Sequence, residues 1–184
     1  MYKRLSKVAF DLSLLDLTQD FYCGDELWER EAAEFISGRS GEVADHLARG
    51  NDLWLYYTDD DGVVGFASLG ASNWPWPDRG SPAVPISLIP MLGLKKTFWG
   101  EPPGKPEDRF SAQILDDLIF EAGVAVVTKG RKPLLGLFVH EFNARAMRVY
   151  ERSGFTNFHK LYKDKATGAN YQGMLLDRLV PRGE

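Results

Sequence analysis

The chain has 184 residues, the size of one domain, and its 44% hydrophobic and 12% aromatic residues supply a core, which excludes disorder, collagen and a long coiled coil. Twenty-two basic against 26 acidic residues give a formal net charge of -4, which argues against a binder that neutralises nucleic-acid phosphates over its whole surface. The single cysteine, Cys23, has no intrachain disulfide partner and suits a reducing compartment, so a cytoplasmic location is expected.

In chain order, residues 8–10 predict a short opening strand. Asp25 is placed to cap a helix running to Gly38, with Trp28, Ala32, Phe35 and Ile36 on one face and Glu26, Glu29, Arg30 and Glu34 on the other. A second short helix, 42–49, ends at Gly50. Residues 53–58 and 63–69 are apolar, aromatic and β-branched and flank Asp59-Asp60-Asp61-Gly62, a hairpin signal. Residues 71–85 carry Pro75, Pro77, Gly80 and Pro82 beside Trp74 and Trp76 and predict an irregular loop with aromatic cover.

Residues 86–94 predict a buried strand broken at Pro90, which has no N–H to give a ladder and therefore belongs at an edge or a bulge. The uncharged stretch around it, 80–94, is too short to span a bilayer, so no membrane segment is expected. A Pro/Gly loop at 100–106 leads into a helix at 109–129, where Ala112, Leu115, Leu118, Ile119, Ala122 and Val126 keep helical spacing and Ser111 or Asp108 is available as cap. Residues 134–139 read as a central strand covered on both faces. A helix at 143–152 closed by Gly154 and a strand pair at 155–162 and 171–176 complete one mixed α/β (α+β) domain over 1–184.

Chemistry-bearing residues concentrate late in the chain. Asn143, Ala146 or Met147, and Tyr150 recur at helical spacing and share a face. His140 and Glu141 close the preceding strand, and either is a candidate to accept a proton from an incoming ammonium. The three histidines lack metal-ligand spacing, so no metal site is expected. Cys23 reads as a structural thiol.

The segment 137–155, Leu-Phe-Val-His-Glu-Phe-Asn-Ala-Arg-Ala-Met-Arg-Val-Tyr-Glu-Arg-Ser-Gly-Phe, resembles the C-terminal half of a GNAT (Gcn5-related) N-acetyltransferase: a strand, Asn143, Ala146, Tyr150, then Gly154-Phe155. The element order over 1–177 resembles that family too. The likeness implies a GNAT-like acyl-CoA N-acyltransferase fold, a mixed central sheet flanked by helices and splayed where two central strands part to admit acetyl-CoA as co-substrate. It makes 86–94 the bulged strand, with Met91, Leu92 and Gly93 against the pantetheine arm. It implies that Asn143 hydrogen-bonds the cofactor and that Tyr150 acts as general acid toward the departing CoA thiolate as a primary amine attacks directly. From the helix pattern alone Tyr150 reads as a packed helix aromatic, a reading that the family register reverses, and Asn143 is equally a helix N-cap.

Where the family carries a Gln/Arg-x-x-Gly-x-Gly/Ala pyrophosphate turn, this chain has Lys105-Pro106-Glu107-Asp108-Arg109-Phe110-Ser111-Ala112-Gln113; the resemblance puts Ser111 at the last glycine and Arg109 at the middle one in one register, and Arg109-x-x-Ala112 is the other register. The scarcity of glycine there supports an alternative, a non-catalytic GNAT-like domain that binds a CoA ester or a protein partner. A second likeness lies upstream: Phe21-Tyr22-Cys23-Gly24-Asp25-Glu26-Leu27, with Ala32, is similar to GNAT toxins that acetylate aminoacyl-tRNA. The implied partners are acetyl-CoA and an amine acceptor, a small molecule or peptide, with tRNA only in the toxin-like reading; a homodimer is compatible with either.

Overall fold

The strands form where β-branched and aromatic residues cluster, and the helices where apolar residues recur every third or fourth position. In the computed structural model, which describes residues 3–74, 84–177 and 179, and only the backbone of Trp74 and of 159–161, the order is β1 (Ser6–Ala9), a 3-10 turn (Leu12–Thr18), α1 (Leu27–Ile36), α2 (Glu42–Ala48), β2 (Asp52–Thr58), β3 (Gly62–Trp74), β4 (Val84–Ile89), β5 (Leu92–Leu94), short 3-10 turns (Lys96–Phe98 and Pro106–Asp108), α3 (Phe110–Lys129), β6 (Leu135–His140), α4 (Ala144–Arg152), β7 (Thr156–Lys163) and β8 (Asn170–Leu176). The strand order is β1-β2-β3-β4-β6-β8-β7, with β5 paired on β3; β4 and β6 are parallel and the other pairs antiparallel. Among the described residues no helix is long and apolar enough to cross a membrane. The chain divides into two compact units.

The first unit comprises Met1–Leu69 and Met91–Ile114. Its core is aromatic: Phe66, fully buried, meets Phe21 edge-on at 5.4 Å and stacks on Phe35 at 5.9 Å. Burying rings of this size contributes about 1.5–3 kcal/mol each. The Asp-Gly hairpin forms, with Gly62 at φ 66, where a side chain is strained. The cap of α1 is Glu26 rather than Asp25: Glu26 and Glu29 form a reciprocal capping box, and the Glu26 N–H donates to Glu29 Oε2 at 2.9 Å. Asp25 instead receives the Lys96 ammonium at 3.3 Å.

Cys23 is 4% exposed, and burial, with Glu29 nearby, pushes its thiol up to about 12 from 9.0. The folded protein therefore holds its proton where the unfolded chain releases it. The associated stability is complete below pH 9 and declines as pH rises towards 12, by about 1 kcal/mol between pH 9 and 10. Thermal midpoints should fall over that interval and flatten in Cys23→Ala; an unchanged slope in the variant would assign the decline elsewhere.

The second unit comprises Gly70–Pro90 and Leu115–Glu184. Ile86 and Leu175 are buried with Val84, Leu88, Leu134 and Phe158 packed against them, and Leu118, Leu135, Leu137 and Met174 are buried on β6, β8 and α3. The Arg131 guanidinium donates to Gly70 O at 2.9 Å and Ser87 Oγ at 3.2 Å, fixing the edge where β3 meets β4. Three expectations change. Residues 71–74 continue β3 instead of opening a loop, paired through Trp74↔Val84, because the prolines that suggested a loop begin only at Pro75; Trp76 lies outside the described residues. Phe138 is 40% exposed, so β6 is not covered on both faces. Finally, α3 starts at Phe110, which places Ser111 inside the first turn and not at the cap.

Candidate active site

Pro90 ends β4, and the chain resumes as β5 one residue out of step. Gly70 pairs with Leu88 and Ala67 with Leu92, so three steps along β3 oppose four along the returning strand. One extra residue against an intact partner is a β-bulge. The Ser68 N–H donates to Met91 O at 2.9 Å and the Lys95 N–H to Val64 O at 2.9 Å, with Phe66↔Gly93 in register between them. Backbone groups alternate along an antiparallel strand, so residues 91, 93 and 95 spend theirs on β3. Leu92 and Leu94 point theirs at the opposite edge.

At Leu94 that edge is already engaged: its carbonyl accepts Trp99 Nε1–H at 3.2 Å and its N–H faces the Cys23 sulfur. Two residues further, the Lys96 N–H donates to Tyr22 O at 2.9 Å. Leu92 keeps an N–H and a C=O directed away from β3. Among the described residues β5 pairs with β3 alone, while the parallel ladder of β4 with β6 ends at Ile89↔Leu137. The strands that the family resemblance expects to part do stop pairing beyond Pro90. Gly93 allows the close approach of β5 to β3, since a Cβ there would lie 2.4 Å from Phe66 Cε1.

At the start of α3 the Phe110 N–H donates to Glu101 O at 2.8 Å, and the Ala112 and Gln113 amides both reach Arg109 O at 3.0 Å. Ala112 therefore offers no amide outward, and Ser111 is the residue of the first turn whose amide is not used in these bonds. Gln113 ties the turn to the N-terminal segment: its Nε2 donates to Lys3 O and Asp108 O at 2.9 Å, and its Oε1 accepts the Leu5 N–H at 3.0 Å. Arg109 Nε is buried with no hydrogen-bond partner. An orphaned cationic N–H beside a helix N-terminus is suited to an anion.

In the second unit β6 runs into α4 through a tight turn. Asn143 caps α4, its Oδ1 accepting the Ala146 N–H at 3.0 Å, while its own N–H donates to His140 O at 2.8 Å. Its Nδ2 donors are left for another acceptor. Tyr150, two turns on, is half-buried and meets Phe155 at 5.9 Å. Burial alone pushes its phenol up to about 12, so it is protonated throughout the neutral range.

His140 is 7% exposed, edge-on to Tyr171 at 5.4 Å, and its Nδ1 accepts the Phe142 N–H at 3.3 Å. That bond engages Nδ1 with the backbone of the turn. Glu141 is half-buried, with Oε1 accepting Asn170 Nδ2–H at 2.9 Å. Among the expected residues, then, Met91 lies in the bulge with Leu92 and Gly93 following it on β5, Arg109 directly precedes the first turn of α3 that holds Ser111 and Ala112, and His140, Glu141 and Asn143 share one strand-to-helix corner. Phe98 covers Phe110 at 6.0 Å, a core role. Ser68 was not expected; a serine in an apolar strand carries no local signal of the bonds it makes 23 residues away.

No family sequence model matches the chain, and no curated protein matches it in sequence. Solved structures do. The toxin–antitoxin complex AtaTR bound with acetyl-CoA is similar at TM-score 0.61 and 18% identity, over 93% of this chain and 94% of that one. The fold is the GNAT acetyltransferase fold. The NatC complex bound to a Gag peptide and CoA matches at TM-score 0.57 and 12% identity over 95% of this chain and 98% of that one. The spermidine/spermine N-acetyltransferase SpeG from Vibrio cholerae, in complex with manganese ions, matches at TM-score 0.56 and 10% identity over 94% and 92%.

Proposed function

We propose that this chain transfers an acetyl group from acetyl-CoA to a primary amine by direct attack. The observation that carries the reading is the Leu92 N–H, turned outward at a one-residue bulge on the free edge of β5 in a GNAT fold. An amide fixed in that way is placed to polarise a thioester carbonyl, and its strand holds it rigid before the reaction begins. The orphaned Arg109 Nε and the Ser111 amide fit the phosphate end of the same molecule. Two of the similar structures contain acetyl-CoA or CoA, which supports the choice of donor.

The roles then follow. The Leu92 N–H holds the carbonyl oxygen as it gains charge, and Asn143, its Oδ1 occupied by the cap, uses Nδ2 toward the donor. The amine nitrogen bonds to the carbonyl carbon, the carbon–sulfur bond breaks, Tyr150 gives its proton to the sulfur, and the second proton that the nitrogen sheds on becoming an amide restores the phenol through water. Glu141, steadied by Asn170, takes the proton of the ammonium through water; His140, whose Nδ1 is engaged, positions the corner instead. A buried phenol near 12 is a weak acid toward an ordinary thiolate, but a thiolate in equally dry surroundings is more basic, as Cys23 at about 12 illustrates.

Calorimetric titration with acetyl-CoA, followed by mass spectrometry of a panel of spermidine, a peptide with a free N-terminus and an aminoacyl-tRNA, tests this reading. Saturable binding and a 42 Da gain on one member is expected, that gain being the mass of one acetyl group less a proton. Binding without any acetylated product would favour the non-catalytic alternative, which the amides consumed at the start of α3 support. Product on the aminoacyl-tRNA alone would select the toxin-like acceptor.

A further inference from the structure

We infer that Ser68 is a positioning residue for acetyl transfer, holding the bulge in the one register that turns the Leu92 N–H outward. The inference rests on the proposed reaction. Ser68 is fully buried on β3, and its hydroxyl bonds both backbone groups of Met91: Oγ donates to Met91 O at 3.1 Å and accepts the Met91 N–H at 3.1 Å. The carbonyl already receives the Ser68 N–H at 2.9 Å, so what the hydroxyl adds is a partner for the Met91 N–H. That group has none in a regular ladder here, because the extra residue carries it out of step with the carbonyls of β3.

Without the hydroxyl, the part-buried Met91 N–H is left unpaired, and the strand gains by sliding one residue toward the register of β4. A slide of one residue reverses the alternation of backbone groups and aims the Leu92 N–H at β3. Ser68 thus acts on the thioester carbonyl through residues 91 and 92 without touching it. Thr, which keeps a hydroxyl and suits a strand, is the conservative replacement.

The test measures steady-state kinetics and backbone amide exchange by nuclear magnetic resonance in the wild-type protein, Ser68→Ala and Ser68→Thr. Slow exchange at Met91 in the wild type, at least tenfold faster exchange in Ser68→Ala, a kcat about 10- to 100-fold lower with KM for acetyl-CoA within about threefold, and recovery of most of kcat in Ser68→Thr are expected. Accelerated exchange with kcat intact, a loss carried by KM, or a Ser68→Thr as slow as Ser68→Ala would overturn the inference. Rapid exchange at Met91 in the wild type would overturn it even if Ser68→Ala failed to fold. Absence of transfer by the wild type with a protected Met91 amide would instead bring down the acetyl-transfer reading, and this inference with it.

Discussion

Tyr150→Phe is expected to lower kcat by about 10²–10⁴ while leaving acetyl-CoA affinity within about threefold, because in the proposed reaction the phenol gives its proton only as the sulfur departs. The ring contact with Phe155 at 5.9 Å survives the loss of one oxygen, so the fold should hold. The pH profile sharpens the prediction. With the phenol raised to about 12, Tyr150 stays protonated past pH 10, and activity should climb through the acceptor's own deprotonation without an alkaline decline from this residue. Steady-state rates from pH 6 to 10 check both statements. A wild-type alkaline decline near pH 8 that vanished in Tyr150→Phe would contradict the assigned acidity, and an unchanged kcat would remove Tyr150 from the reaction.

Leu92→Pro should be nearly as damaging, with kcat lower by about 10²–10³, the usual cost of deleting one donor to a developing oxyanion. Proline is ordinarily excluded from a paired strand, but at position 92 the missing N–H belongs to the unladdered edge, so the β3–β5 bonds through residues 91, 93 and 95 persist. Leu92→Ala trims the side chain and keeps the amide, and its loss should stay under about tenfold. The comparison separates the amide from the side chain; equal impairment in the two variants would assign the effect to leucine packing.

Much of this was legible in the chain, and the boundary has a physical cause. Pro90 inside an apolar run announced the break in pairing, and the helical spacing of Asn143 and Tyr150, with Gly154 after them, announced α4 and its cap. These are local signals, carried by a missing N–H and by a 3.6-residue period. The cap of α1 falls on Glu26 and not on Asp25 because Glu26 works through its exchange with Glu29, a pairing that the local cap signal of a short Asp does not reveal. Trp74 was assigned to a loop because Pro75 follows it, although β3 pairs with Val84 up to that residue. Ser68, the outward amide of Leu92 and the engaged Nδ1 of His140 depend on register and on partners distant in sequence or fixed only once the turn closes, which composition and periodicity do not encode. The likeness to GNAT enzymes supplied roles for positions 91–93, and the alternation of the ladder divided those roles among them.

Carbon-13 magnetic resonance of acetyl-CoA labelled at the thioester carbonyl, titrated with the wild-type protein and with Leu92→Pro, tests the central claim most directly. A saturable change in the carbonyl resonance with wild type that is lost or much reduced with Leu92→Pro is the predicted result. A carbonyl that keeps its free-solution resonance while the rest of the molecule binds, or one that shifts equally in both proteins, would contradict the assignment of the β5 edge as the site of acetyl activation.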